Sequence, residues 1–406
     1  MGFNISLSGI NAANADLNVT ANNIANVKTI GFKQSRAEFA DLVNGSRYGL
    51  SKTAIGTGVN LSQVAQQFSP GPIDPTGNKL DLAINGAGFF TLSMNGSRVY
   101  SRAGNFQPDN NGYITNPQGA RLQVFSPSAD GSRFEGRLTD LQLLSSDSPP
   151  KQSTLLNLGF TLPGNAQQPA INPFNPEDSS SYNHASTGVP IYDSLGVSHT
   201  QTAYFVKTAN PNEWEMHSFI DGQSAGKPVT LQFSDNGQLT APQPSKITLD
   251  PFTPATGAGV VNLTVDIAGA RQYGEKFSTH QVKQDGYAAG KFTEFEFSEQ
   301  GIVFAHYSNG AKQVLGQVAL TTFNNPQGLL PQGNNVWSQS HLSGEARTGA
   351  PNSADLGYIR PSSLEASNVD LTEQLVNMIV AQRNFQANAQ AVSVQDQLTQ
   401  TVINIR

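Results

Sequence analysis

The stretch "NNIANVKTIGFK", residues 22–33, closes an apolar stripe that begins at Phe3. Phe3, Leu7, Ile10, Asn14, Leu17, Ala21 and Ile24 recur at alternating spacings of four and three, the seam of a heptad helix. Around that seam almost nothing is charged: Asp16 is the sole acidic residue before Glu38, and Lys28 is the first basic one. A solvated helix carries Lys and Glu on its outer face, whereas this one carries Asn, Ser, Thr and Ala. Such a surface implies neighbours on several sides.

The far end of the chain repeats the pattern. Beyond 361 there is neither Pro nor Gly, and Leu371, Leu375, Met378, Gln382, Phe385, Ala389, Val392, Asp396 and Thr399 form a second seam. A further stripe of Val376, Ile379, Val380, Leu398 and Val402 widens its apolar surface. Ser367 or Asn368 is the expected cap, with Asp370 and Glu373 in the first turn to suit the helix dipole. Neither helix can bury its seam alone. The two ends are expected to pair as a coiled coil and to meet other copies of the chain.

Between the ends the chain reads as β. All 23 Pro lie between Pro70 and Pro361, and Asn-Gly pairs at 44, 85, 95, 111, 236 and 309 mark tight turns, as do Asp-Gly pairs at 130, 221 and 285. "FQPDNNGYI" (106–114), "FSDNGQL" (233–239) and "FSEQGIV" (297–303) are each a strand end, a polar turn and a return strand. Residues 292–320 alternate as a three-stranded meander. The expected fold is mainly β, with two β-rich domains, one inserted in the other, and terminal α-helices forming a coiled-coil core. The boundaries read as a core helix over 1–28, a connector over 29–70, and a discontinuous first β domain over 71–145 and 285–361. An inserted outer β domain spans 146–284 and a second core helix 362–406. In the connector, Gly31 and Gly45 supply turns, and Phe32 and Phe39 anchor it.

Composition narrows the function. Charged residues make up 13% of the 406, against about 25% in a typical soluble domain, so chains can pack closely with little self-repulsion. A net charge of −6 gives no reason to expect nucleic acid or an anionic membrane as partner, and no apolar run approaches the ~20 residues of a membrane span. The absence of Cys excludes disulfides, thiolate metal sites and cysteine nucleophiles. "MGFNISLSGI" lacks the basic n-region and apolar core of a secretory signal, so export would use no cleaved signal peptide.

The six histidines stand apart with no HExxH, and no glycine cluster opens a phosphate-binding helix. "PDNNG" (108–112) lacks the spaced ligands and terminal Glu of a calcium loop. No catalytic, cofactor or metal site is assigned, and the chain is not expected to be an enzyme.

"SGINAANADLNVTA" with "NNIANVKTIGFK", and "LEASNVDLTEQLVNMIVAQRNFQANAQAVSVQDQLTQTVINIR" (364–406), resemble the terminal signatures of the bacterial flagellar axial family of rod and hook proteins. "LDLAINGAGFFTL" (80–92) and "YSRAGNFQPDNNGYI" (100–114) are similar to the first β domain of that family. These stretches cover about a third of the chain. "NPQGLLPQGNNVW" (325–337), the length and the insertion favour the hook branch over the distal rod, whose members are shorter. The resemblance implies a helical homopolymer, a hollow curved tube acting as a universal joint between rod and filament. Implied partners are the chain itself, the distal rod, the hook cap, the hook–filament junction protein and the flagellar type III export apparatus, and the implied location is the extracellular hook. A secreted β-rich enzyme or adhesin would share the low charge and the turns, but has no need of paired helical ends.

Overall fold

A computed structural model describes residues 2–42, 56–128, 134–143 and 147–404, with the side chains of 2, 402 and 404 left aside. Gly45 lies outside the described residues. The chain forms two units: Met1–Ser145 with Phe295–Ala305 and Gln313–Arg406, and Ser146–Glu294 with His306–Lys312. It is mainly β with a helix at each end.

In unit 1, helix α1 (Gly2–Ala25) stops where Asn and Thr side chains take over its backbone bonds. Asn26 Nδ2 donates to Asn22 O at 2.9 Å, Thr29 Oγ1 donates to Asn26 Oδ1 at 3.1 Å, and Gly31 turns the chain at φ +65°. The connector then forms a hairpin of β1 (Ser35–Leu42) and β2 (Gly58–Gln66), with a bulge between Glu38 and Phe39. Strand β3 (Ile73–Pro75) pairs with Ser363–Glu365, and β4 (Leu82–Asn85) pairs with Tyr358–Pro361. The two ends of the chain are therefore stitched together twice before the second helix begins. That helix, α2 (Leu371–Asn404), starts nine residues later than position 362, because 363–365 are strand. Its cap is Asp370, whose Oδ1 accepts from the amides of Thr372 and Glu373 at 2.8 and 3.1 Å, rather than Ser367 or Asn368.

The turn signals at 95, 111, 221, 236 and 309 fall where strands reverse, those at 85 and 285 do not join paired strands, and those at 44 and 130 lie outside the described residues. β5 (Phe89–Met94) and β6 (Ser97–Ser101) are joined through Asn95 and Gly96, at φ 50° and 80°. In "PDNNG", the Asp109 carboxylate accepts from the amides of Asn111 and Tyr113, both at 2.8 Å, so it builds the turn. Strands Phe292–Phe297, Ile302–Tyr307 and Lys312–Val318 follow one another in one sheet. Alternation along β5 divides the core of unit 1. Phe90 and Leu92 join Ile84, Leu122, Val318 and Ile359, while Phe89 joins Tyr100, Phe323 and Trp337 on the other face.

Unit 2 sets the antiparallel strands Ser198–Lys207, Glu213–Ile220 and Val229–Phe233 over a core of Trp214, Phe160, Phe205 and Leu231. Its other sheet mixes parallel and antiparallel pairing. Strand Leu155–Pro163 pairs in parallel with Thr264–Asp266 and Arg271–Tyr273, and antiparallel with Ser278–Gln284.

One cluster, buried at His199 and Asp193 and open at Asp221, is expected to make unit 2 sensitive to pH. His199 Nδ1 lies 2.6 Å from Asp221 Oδ2, and its Nε2 lies 3.4 Å from Asp193 Oδ2. Burial opposes the ring's charge, but the bonds to Asp221 and Asp193 outweigh it and hold its pKa above 6.5. Burial likewise opposes ionisation of Asp193 and Asp221. Backbone amides, the Thr256 hydroxyl at Asp193 and His199 at both outweigh it, leaving both carboxyls below 3.8. The histidine contribution is complete below 6.5 and lost as pH rises through the raised value. The carboxylate contributions are present above 3.8 and lost as pH falls through the lowered values. With Trp337→Phe leaving Trp214 as the fluorescent reporter, the melting temperature of unit 2 is expected to drop by about 2–4 °C between about pH 6 and pH 9. His199→Gln should abolish that drop; a drop of unchanged size would assign it to other groups.

Candidate assembly site

The helices α1 and α2 run antiparallel, as two contacts fix. Asn23 Nδ2 donates to Gln374 Oε1 at 3.1 Å, and a Cβ on Gly9 would lie 2.4 Å from Asn388 Oδ1. Each helix buries one narrow stripe, and the residues on it are small or polar: Ala13, Thr20 and Asn23 in α1, Gln374 and Ala381 in α2. Small side chains bring the backbones close, which leaves the larger apolar rows at the flanks or outside.

The expected seam is accordingly divided. Ile10, Leu17 and Ile24 in α1 and Met378, Ala389 and Val392 in α2 are half-buried, and Ala21 is exposed. Phe3 (50% exposed), Leu7, Leu371, Leu375 (46%) and Phe385 face outward, joined by Val376, Ile379, Val380, Val394, Leu398 and Ile403. A single chain thus covers only part of what its two helices need to cover.

The hairpin leans on α1. Val59 N donates to Ser8 Oγ at 3.2 Å, and Gly58 sits at φ +126° where a Cβ would lie 2.2 Å from that oxygen. Its outer face shows the cross-strand pair Phe39 and Leu61, so Phe39 points away from the packed core. Phe32 is half-buried. Gly31 fits against the β body, since a Cβ there would meet Ala103 N at 2.5 Å.

Composition gave no hint of the group that ties helices to sheet. Lys33, Arg102 and Glu365 meet in the interior, with side-chain exposures of 0%, 4% and 0%. Lys33 Nζ donates to Glu365 Oε1 at 2.6 Å and to Ser69 O at 2.7 Å. Arg102 Nη1 donates to Glu365 Oε2 at 3.1 Å, Nη2 donates to Gly86 O at 2.9 Å, and the guanidinium lies 5.4 Å from the Phe89 ring centre. Burial pushes the pKa of both cations down, against the pull of Glu365. Around this knot, Asn368 Oδ1 accepts from Gln34 N at 2.8 Å and its Nδ2 donates to Gln67 O at 2.9 Å, while Asn335 Nδ2 donates to Ile30 O at 2.7 Å. The only hint in the sequence was that "TIGFK", "SRAGNF" and "LEASN" each place a charge among small and apolar residues.

Four family models match along the chain: Flagella basal body rod protein over 3–33, Flagellar hook protein FlgE/F/G D1 domain over 83–173, Flagellar basal body protein FlaE D2 domain over 161–287, and Flagellar basal body rod FlgEFG protein C-terminal over 360–405. The Flagellar hook protein FlgE of Salmonella typhimurium is 37% identical, over 100% of both chains. This chain belongs to the flagellar hook protein family. The FlgE of Borreliella burgdorferi is 32% identical over 98% of each chain. The crystal structure of Helicobacter pylori flagellar hook protein FlgE2 shares the fold, with a TM-score of 0.55 at 15% identity, over 72% of this chain and 100% of that one. End-to-end likeness to hook proteins leaves the distal-rod alternative less supported, and the chain is a structural hook subunit. Membership of the hook family also places it in the flagellum, as a self-assembling component.

Proposed function

We propose that this hook subunit polymerises into a curved hollow tube and serves as a universal joint between rod and filament. In this reading α1 and α2 line the tube and give cohesion, and the β units lie outside and make contacts that slide as the tube rotates. The observation that carries it is the apolar surface left open along both helices, from Phe3 and Leu7 to Leu371, Leu375, Ile379 and Val380. Surfaces poor in charge support the sliding part, because neutral polar groups exchange water-mediated bonds at small cost whereas buried ion pairs resist displacement. The role is mechanical, not enzymatic. Export through the flagellar type III apparatus, without a cleaved signal, belongs to the same proposal. The distal rod, the hook cap and the hook–filament junction protein are the proposed partners besides the chain itself.

Electron microscopy of the concentrated full-length protein tests this directly. Curved tubes are expected. Monodisperse particles at every concentration would overturn tube formation by this chain on its own.

A further inference from the structure

Glu365 faces two buried cations alone. Among the described residues it is the one carboxylate bonded to either Lys33 or Arg102, so the knot carries two positive charges and one negative. The same residue gathers four segments of unit 1. Its Oε1 accepts from Lys33 Nζ at 2.6 Å and from Gly71 N at 2.9 Å, and its Oε2 accepts from Arg102. Its backbone carbonyl accepts from Gly31 N at 2.8 Å, and its strand pairs it with Ile73. Lys33 and Gly31 follow α1, Arg102 follows β6, and Glu365 itself precedes α2 by six residues.

We propose that Glu365 is the positioning residue that couples both terminal helices to the β body of unit 1, so that load on the helix pair reaches the sheet through its carboxylate and carbonyl. The bonds that Asn23, Asn335 and Asn368 donate at this junction are neutral, and those from Lys33 to Ser69 O and from Arg102 to Gly86 O are charged on the donor alone, whereas Lys33 and Arg102 meet the carboxylate as ion pairs. The charge count makes the three residues unequal. Lys33→Met leaves Arg102 and Glu365 as a balanced pair, and Arg102→Met leaves Lys33 and Glu365 balanced. Glu365→Gln leaves two buried cations with no anion and turns an amide N–H toward further donors.

Hydrogen exchange on the monomeric full-length chain reads this, with the amides of Gly31 and Gly71 reporting the knot and those of Leu122 and Val318 the sheet. Glu365→Gln is expected to speed exchange at Gly31, Gly71 and 363–369 by about a hundredfold or more. Lys33→Met and Arg102→Met should each change Gly31 and Gly71 by less than about tenfold. Val303→Ala, a cavity in the sheet core, should speed Leu122 and Val318 and change Gly31 and Gly71 by less than about tenfold. Val303→Ala opening Gly31 and Gly71 as widely as Glu365→Gln would reduce the residue to ordinary stabilisation and overturn the coupling. So would Lys33→Met or Arg102→Met opening Gly31 and Gly71 as widely. If Glu365→Gln yields no folded chain, the two cation variants decide: both must fold with Gly31 and Gly71 protected, and failure of either overturns the charge count. Use of the coupling in a rotating tube rests on the function proposed above. The exchange needs no polymer, so the two can fail separately.

Discussion

Leu375→Asp is expected to leave the monomer's melting temperature unchanged and to abolish tube formation at neutral pH. Leu375 is 46% exposed in the single chain, so a carboxylate there finds water and costs almost nothing. In the proposed tube the same position is covered by another copy. Burying the rest of that side chain contributes about 1–2 kcal/mol per subunit, and an unpaired carboxylate in its place costs several kcal/mol more unless it protonates. The penalty recurs at every subunit, which is why the expected loss is complete. Partial recovery toward about pH 4, where the carboxylate neutralises, would tie the defect to burial. Ala381→Asp supplies the contrast. Ala381 is fully buried between the helices of one chain, so its variant should also separate α1 from α2 in the monomer, seen as lost helical signal. Normal tubes from Leu375→Asp would remove the exposed row from the interface.

The difference between Leu375 and Ala381 also marks how far the sequence could be read. Periodicity located both helices, because a long run without Pro and with apolar spacings of three and four has few other solutions. It did not tell which stripe the chain covers by itself. Apolarity records a need to leave water and names no partner, and the stripe shared by α1 and α2 is made of Ala, Thr, Asn and Gln. The turns were legible for a local reason. Asn95–Gly96 accepts positive φ at both residues, and the same chemistry recurs at Gly112, Gly237 and Gly301. The parallel partners of Leu155–Pro163 were not legible, since they lie about a hundred residues away and no local signal distinguishes them from hairpin strands. The hairpin of β1 and β2 was hidden in what reads as a connector, where one face leans on α1 and the other shows Phe39 and Leu61. Lys33, Arg102 and Glu365 were least legible of all. Their meaning depends on separations of 263 and 332 residues.

Those separations govern where the chain can be cut. A fragment spanning 29–369 is expected to melt cooperatively in both units, whereas one spanning 29–361 should lose the transition of unit 1 and keep that of unit 2. The eight residues that differ hold no part of α2, which begins at Leu371. They include strand Ser363–Glu365, which pairs with β3, and Asn368, which bonds the backbone at Gln34, Gln67 and Ser69. Above all they include Glu365. Without it Lys33 and Arg102 remain buried with no anion, and breaking a buried pair from one side costs about 3–5 kcal/mol. That alone is a large part of the 5–15 kcal/mol by which a domain of ordinary stability is held. Removing α1 and α2 deletes the pairing of Asn23 with Ser35 and Gln374 and uncovers the hairpin, but it leaves the knot whole. The two tryptophans separate the signals, with Trp337 in unit 1 and Trp214 in unit 2. A 29–361 fragment whose Trp337 transition matches that of 29–369 would show that the knot holds the helices to the sheet without being needed by the sheet itself.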